Sequence, residues 1–176
     1  MTDSVKPEVL IAGSVKSDGP SEEFDKYCEA LGQELAKAGL VLIAGSIRKS
    51  TADYHVLRGA GRETERNSEQ QPLSVRFIRP AETKETDPFE QQLAALGRFA
   101  VRHELFPGTW QEGRSRQVKS ADVVVLVGGG SGTSDVANEA VQQGKEIIAV
   151  PNFGGAAESL FRGSVQSELL NRMRTT

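Results

Sequence analysis

The sequence is poor in the residues that build disulfides and transition-metal sites. Cys28 is the only cysteine among 176 residues, which excludes an internal disulfide and a metal site made of several cysteines. The two histidines, His55 and His103, are far apart and lack the spacing of metal ligands. The chain therefore indicates neither a metal nor a cofactor, and Cys28 is best explained as a core residue.

A strong charge excess and long apolar runs are also missing. The net charge is −3 at pH 7 and the pI is about 5.5, so no global basic field favours nucleic acid as a partner. No apolar run approaches the length of a membrane span, and the N-terminus lacks the apolar region of a signal peptide. We therefore expect a cytoplasmic protein without a membrane partner.

What the sequence does contain is a regular alternation of short apolar runs and amphipathic segments. The alternation predicts an α/β three-layer Rossmann-like sandwich around a parallel sheet of about five or more strands. Because no linker or internal repeat divides the chain, residues 1–176 are expected to form one domain. The predicted strands are residues 9–12, 40–44, 73–78, 123–127 and 146–150.

Three further segments lie between these strands. A helix over residues 51–64 is weakened by Gly59 and Gly61. A further helix is predicted from Asp87, with Ala100 on its apolar face, and it ends before Pro107. Residues 111–120 are polar and basic and lead into the fourth predicted strand.

The most informative stretch is the glycine-rich loop after that fourth strand. Residues 123–127 are apolar, four of residues 128–132 are glycines, and an amphipathic segment follows. Such a strand, glycine turn and helix start allow backbone N–H groups to approach an anion, where the helix dipole adds partial positive charge. The alternative is a turn that merely joins strand to helix, although such a turn needs fewer glycines.

Other strand-end loops carry small, hydroxyl-bearing and cationic residues. Since the carboxyl ends of parallel strands share one edge of a sheet, these loops are expected to form a pocket for a phosphate, a sugar and a base. Alternatively, the cations are solvated loop residues, and Trp110 either stacks on a base or caps the core. The candidate ligand-binding residues are Gly13, Ser14, Lys16, Gly45, Ser46, Arg48, Arg114, Gly129, Gly130, Ser131, Gly132, Thr133 and Glu139.

The motif Gly-Gly-Gly-Ser-Gly-Thr that ends at Thr133 resembles the SLOG superfamily. Its context supports the resemblance: Ser-Ala-Asp-Val-Val-Val-Leu precedes it, and Gly-Lys-Glu-Ile-Ile-Ala-Val-Pro and Phe-Gly-Gly-Ala follow it. This superfamily unites the lonely-guy (LOG) phosphoribohydrolases with DprA-type and nucleotide-sensing domains. The resemblance implies a Rossmann-like fold, a nucleotide-derived ligand and a homodimer.

The sequence departs from the LOG enzymes at the catalytic acid. Their motif is Pro-Gly-Gly-x-Gly-Thr-x-x-Glu, but Gly128 replaces the proline and Val136 replaces the catalytic glutamate. A valine side chain cannot activate water. If the protein is an enzyme, Glu139 and Arg114 are the nearest candidates for the catalytic pair.

The sequence thus keeps the glycine-rich loop but lacks the catalytic acid. This combination resembles the SLOG sensor domains that are paired with TIR or Sir2 effectors in bacterial antiphage systems. The resemblance therefore favours a sensor that binds a cyclic ADP-ribose-like second messenger without turning it over. The alternative is a LOG-type N-glycosidic hydrolase that acts on nucleoside monophosphates. A DprA-like single-stranded DNA binder is a third hypothesis, which the acidic pI disfavours.

Overall fold

The computed structural model describes residues 6–15, 21–67, 69, 71–81 and 87–174, with the side chains of residues 21, 87–90 and 168–174 left undescribed. Strands and helices alternate along this part of the chain. The strands are β1 (Glu8–Ser14), β2 (Val41–Ala44), β3 (Leu73–Pro80), β4 (Phe99–Phe106), β5 (Val123–Gly128) and β6 (Glu146–Val150). The helices are α1 (Ser21–Lys37), α2 (Ala52–Arg66), α3 (Asp87–Ala94), α4 (Trp110–Ser120), α5 (Ser131–Gln142) and α6 (Gly155–Arg174), and a short 3₁₀ helix spans Pro151–Phe153.

The described strands form one parallel sheet in the order β4-β3-β2-β1-β5-β6. Helices α1 and α2 cover one face and α4, α5 and α6 cover the other, so the core has two apolar layers. Val124 and Leu126 of β5 are buried in one layer, and Val125 and Val127 are buried in the other. This burial explains the unbroken apolar run of the central strand and confirms the predicted three-layer Rossmann-like fold.

The strand order reverses beside β1. The chain proceeds outward from β1 to β4 and then crosses back to place β5 against the free side of β1. In open α/β sheets, ligands bind beyond the carboxyl ends of the strands at such a reversal. In the described part of the chain, no helix is both long and apolar enough to cross a membrane.

The prediction of one helix from Asp87 through Ala100 is wrong. Helix α3 ends at Ala94, and Ala100 belongs to the edge strand β4, which pairs with β3 along its whole length. The helix cannot continue because Gly97 has φ +150° and its Cα lies against Gly61 of α2. Within β4, the partly buried Phe99, Val101 and His103 alternate with the exposed Ala100 and Arg102, a period-2 pattern that the helical spacing upstream obscured.

One further prediction needs correction, and one segment forms a helix that the sequence pattern did not predict. The glycine loop follows the fifth strand rather than the fourth, because β4 was not predicted. The polar segment before β5 is helix α4, which begins at a capping box: Thr109 Oγ1 accepts from Glu112 N (3.3 Å), and Glu112 Oε2 accepts from Thr109 N (2.6 Å). Its polar sequence is compatible with a helix because few of its residues, Val118 among them, are buried.

Candidate functional site

A cavity of about 450 Å³ lies at the carboxyl edge of the sheet, where the strand order reverses. Its walls come from the ends of β1 and β2, the start of α2, one face of α4 and the start of α5. Since these elements are far apart in sequence, only the fold brings them together. The lining residues are Ile11, Ala12, Gly13, Ser14, Gly45, Ser46, Arg48, Thr51, Asp53, Trp110, Arg114, Gln117, Gly130, Ser131, Gly132, Thr133 and Val136.

The glycine loop between β5 and α5 is held tightly on both sides. Gly128 and Gly129 adopt φ values of +62° and +97°, which favour glycine. The Gly129 N–H donates to Ser14 O (2.8 Å), and its carbonyl accepts from Ala156 N (3.0 Å). A Cβ at Gly155 would lie only 2.1 Å from Gly129 O, so the second glycine loop packs against the first. These contacts position the start of α5 rigidly at the cavity.

The N-terminus of α5 is open to the cavity. Gly130 is the N-cap and has no side chain to cap the helix, and the first turn contains no acidic residue. The first hydrogen bond of the helix runs from Ser134 N–H to Gly130 O (3.0 Å). The N–H groups of residues 131–133 therefore have no partner within the helix. Together with the helix dipole, these groups favour an anion in the cavity.

Arg114 adds a positive charge beside this helix start. Its guanidinium lies against Gly132, where an added Cβ would approach Nη2 to 2.8 Å. Arg114 Nη1 also donates to Asp135 Oδ2 (2.9 Å) on the next turn of α5. The guanidinium is thus held between Gly132 and Asp135 at the start of α5, and the role of Arg114 as a ligand residue stays a prediction.

Asp53 is a buried carboxyl group of the cavity that the sequence did not single out. It is 7% exposed, and its Oδ2 accepts hydrogen bonds from the N–H groups of Gly45 (2.9 Å) and Ser46 (3.1 Å). Burial raises the pKa of Asp53 to about 6, although these two hydrogen bonds oppose the shift. An acidic residue in the first turn of a helix is common, so its sequence position carried no specific signal.

Replacing Asp53 with asparagine is expected to stabilise the protein at neutral pH. Because the folded-state pKa is raised, the folded protein binds the proton more tightly, and stability is lost as pH rises through 6. Asparagine keeps an oxygen for Gly45 and Ser46 but carries no charge. We expect Asp53→Asn to stabilise by about 2 kcal/mol more at pH 7.5 than at pH 4.5. Urea unfolding of both proteins at the two pH values would measure this difference, and an equal effect at both would contradict it.

The other candidates on β1 and β2 lie around the same cavity, but their hydrogen-bonding groups are partly engaged. The N–H groups of Gly45 and Ser46 point to Asp53, and Ser46 Oγ accepts from Arg48 N (3.1 Å). Gly13 and Ser14 form the end of β1 against β5. Lys16, also predicted as a ligand residue, lies outside the described residues.

Glu139 is not brought to the cavity. Its Oε1 accepts from Ser115 Oγ (3.0 Å) and from Gln143 Nε2 (2.6 Å), which joins α5 to α4. Val136, at the position of the LOG catalytic glutamate, is 3% exposed and lines the cavity. The cavity is therefore apolar at the point where those enzymes carry their acid.

Two residues of α4 complete the cavity. Trp110 is 37% exposed at the mouth, which makes its ring available to a ligand. Gln117 is buried, and its Nε2 donates a hydrogen bond to Ile78 O (2.7 Å). The same atom would lie 2.8 Å from a Cβ at Gly45, so the Gln117 side chain packs against Gly45. No group of residues in the described ranges has the composition of a metal site.

The fold defines a Rossmann-like α/β protein, and this cavity lies at the point where the strand order reverses. Solved structures share the fold. The protein TM1055 has a TM-score of 0.65 at 24% identity over 88% of this chain and 79% of its own. The molybdenum cofactor binding protein from Rippkaea orientalis has a TM-score of 0.56 at 23% identity over 82% of this chain and 76% of its own.

DNA processing protein A from Helicobacter pylori is also similar, with a TM-score of 0.62 at 15% identity over 96% of this chain and 81% of its own. No protein-family model matches the chain, and no curated protein matches it significantly in sequence. The structural similarities show a Rossmann-like fold of the kind that the resemblance to the SLOG superfamily implied.

Proposed function

We propose that this chain is a SLOG-type ligand-binding domain that holds a nucleotide-derived molecule by its phosphate. The observation that carries the proposal is the uncapped, acid-free N-terminus of α5, which opens into the cavity beside Arg114. Backbone N–H groups at a helix N-terminus and an arginine guanidinium are both common phosphate-binding groups in proteins. In this proposal, Ser131, Gly132 and Thr133 bind one phosphate.

The size and walls of the cavity support a nucleotide rather than a free phosphate. A volume of about 450 Å³ falls in the range of small-molecule sites. Trp110 offers an aromatic surface at the mouth, and aromatic side chains stack on nucleobases without selecting one base strictly. The proposed ligand therefore places its phosphate at α5 and its base toward Trp110.

The proposal also states that the protein binds its ligand without turning it over. It rests on the apolar Val136 at the position of the LOG acid and on Glu139, which is hydrogen-bonded to Ser115 and is not among the residues that line the cavity. Following the sequence resemblance, we propose a cytoplasmic sensor module in bacterial antiphage immunity, formed by a single domain that pairs as a homodimer and signals to a TIR, Sir2 or similar effector. The ligand would be a cyclic ADP-ribose-like second messenger.

The structural neighbours do not select a ligand. One is named for binding a molybdenum cofactor, and another is described as binding single-stranded DNA. Since one fold supports many ligands, the site has to be tested directly.

A thermal-shift panel followed by chromatography of each ligand tests the proposal. The panel contains AMP, ADP-ribose, cyclic ADP-ribose isomers, cyclic dinucleotides and NAD. Ligand at 100 times its dissociation constant contributes about 2.7 kcal/mol, which raises the midpoint by about 2–4 °C per kcal/mol. A shift with intact ligand supports a sensor, release of the base establishes a hydrolase, and no shift with any compound contradicts the nucleotide site.

We expect Gly132→Ala to weaken, by about tenfold or more, the binding of whichever panel compound raises the melting temperature. The new Cβ would meet Arg114 Nη2 at 2.8 Å and push the guanidinium away from the helix start. Loss of a hydrogen bond to a charged group costs about 1.5–3 kcal/mol. Isothermal titration would measure the affinity. Gly163→Ala on α6, where a Cβ meets nothing within 4 Å, is the matched control, and equal affinities in the two variants would refute the site.

A further inference from the structure

The cavity has two chemically different ends. At α5, the helix N-terminus and Arg114 favour negative charge. At the end of β2, the buried carboxyl group of Asp53 lines the same space. A ligand that fills the cavity therefore meets donors at one end and an acceptor at the other.

The β2 end would favour anions if Asp53 were absent. Gly45 and Ser46 follow a parallel strand, and both N–H groups point to one place, which is the arrangement that binds a phosphate oxygen. Asp53 Oδ2 occupies that place at 2.9 and 3.1 Å from the two nitrogens. The protein thus fills its own second anion-binding position with a carboxylate.

The carboxylate is held in one position. Two hydrogen bonds fix its Oδ2, the start of α2 fixes its backbone, and its side chain is almost fully buried. With a pKa of about 6 it is ionised at pH 7.5. An ionised carboxylate accepts hydrogen bonds from hydroxyl and amino groups and repels a second anionic group.

We propose that Asp53 determines specificity by accepting a hydrogen bond from a hydroxyl or amino group of the ligand and by excluding a second phosphate from the β2 end of the cavity. This inference rests on the proposed phosphate site at α5. The ligand class it defines carries its phosphate at one end and neutral donors, such as sugar hydroxyls, at the other. A molecule with anionic groups at both ends is disfavoured.

Three small probes test the two ends separately at pH 7.5: inorganic phosphate, ribose 5-phosphate and ribose 1,5-bisphosphate. Their dissociation constants are measured by isothermal titration for the unmodified protein and for Asp53→Asn. Asparagine retains an oxygen acceptor for Gly45 and Ser46 while removing the charge. The control is Asp122→Asn, because Asp122 also accepts a backbone N–H, that of Glu8 at 2.8 Å, but lies outside the cavity lining.

The unmodified protein is expected to bind ribose 5-phosphate at least tenfold more tightly than the bisphosphate. Asp53→Asn should bring the two affinities within threefold of each other, and the affinity for inorganic phosphate should change by less than threefold. Asp122→Asn should match the unmodified protein with all three probes.

The possible failures are distinguishable. Binding of none of the three probes would overturn the phosphate site and this inference with it. Binding of inorganic phosphate with equal affinities for ribose 5-phosphate and the bisphosphate in the unmodified protein would overturn the role of Asp53 alone. That comparison needs no variant, so it decides the question even if Asp53→Asn does not fold.

Discussion

Gly130→Asp is expected to abolish phosphate binding at α5 while making the fold slightly more stable. Gly130 has a negative φ of −103°, outside the left-handed region that favours glycine, and a Cβ there meets nothing within 4 Å. An aspartate at the N-cap accepts hydrogen bonds from the first-turn N–H groups and complements the helix dipole. It would therefore occupy the groups that the proposal assigns to the ligand.

The substitution is expected to strengthen folding and to weaken ligand binding, and the size of each effect can be estimated. The cap and the dipole together should raise the free energy of unfolding by about 0.5–1 kcal/mol. Loss of charge-assisted hydrogen bonds and repulsion of the ligand should lower the affinity by about 100-fold or more, which corresponds to about 3 kcal/mol. A loss of binding in a stabilised protein cannot be attributed to misfolding.

Isothermal titration with AMP and urea unfolding measure these two quantities. Gly130→Asn is the matched control, because asparagine caps the helix without a charge and should reduce the affinity less than aspartate does. If Gly130→Asp bound AMP as tightly as the unmodified protein, the helix start would not be the phosphate site.

A large loss of stability is expected for Gly59→Ala in α2. A Cβ at Gly59 would lie 1.9 Å from the carbonyl oxygen of Glu29 in α1, and one at Gly32 would lie 2.0 Å from Val56 O. The two helices therefore pack backbone against backbone. Because the obstructing atoms belong to the main chain, no side chain can rotate away, and the helices have to separate.

We expect Gly59→Ala to lower the free energy of unfolding by about 3 kcal/mol or more, at the upper end of overpacking effects. Separation of the helices would also strain the ion pairs of Glu29 with Arg58 and Arg62. Urea unfolding gives the value. Gly163→Ala, in open space on α6, should be neutral or stabilising, since alanine favours a helix over glycine. A loss below 1 kcal/mol for Gly59→Ala would show that this helix contact is not close-packed.

Gly59 and Gly61 illustrate how far the sequence could predict the fold. From propensity alone they weaken a helix, yet both lie inside α2. They are tolerated because Glu29 O and Leu96 O approach them to distances that no Cβ permits. Strand β4 was also missed because its assignment depends on the tertiary structure. Its weak alternation distinguishes a strand from a helix only once its pairing with β3 is known.

For the candidate site, sequence reasoning selected residues of the cavity lining where the feature is local, and their role in binding a ligand stays a prediction. The strand, the glycine turn and the start of α5 are contiguous, and Gly130, Ser131, Gly132 and Thr133 all line the cavity. Sequence reasoning did not indicate the arrangement of residues whose contacts depend on the tertiary structure. Glu139 is hydrogen-bonded to Ser115 rather than placed in the cavity, and Asp53 was not noticed.

By itself, therefore, the sequence determined the alternating α/β class, the apolar central strand and the glycine loop, since these depend on residues adjacent along the chain. Only the tertiary structure decided the sheet order, the close helix contact at Gly59 and the two unlike ends of the cavity. Asp53 acquires its role because folding places it against Gly45 and Ser46 and removes it from water, and burial cannot be read from a residue type.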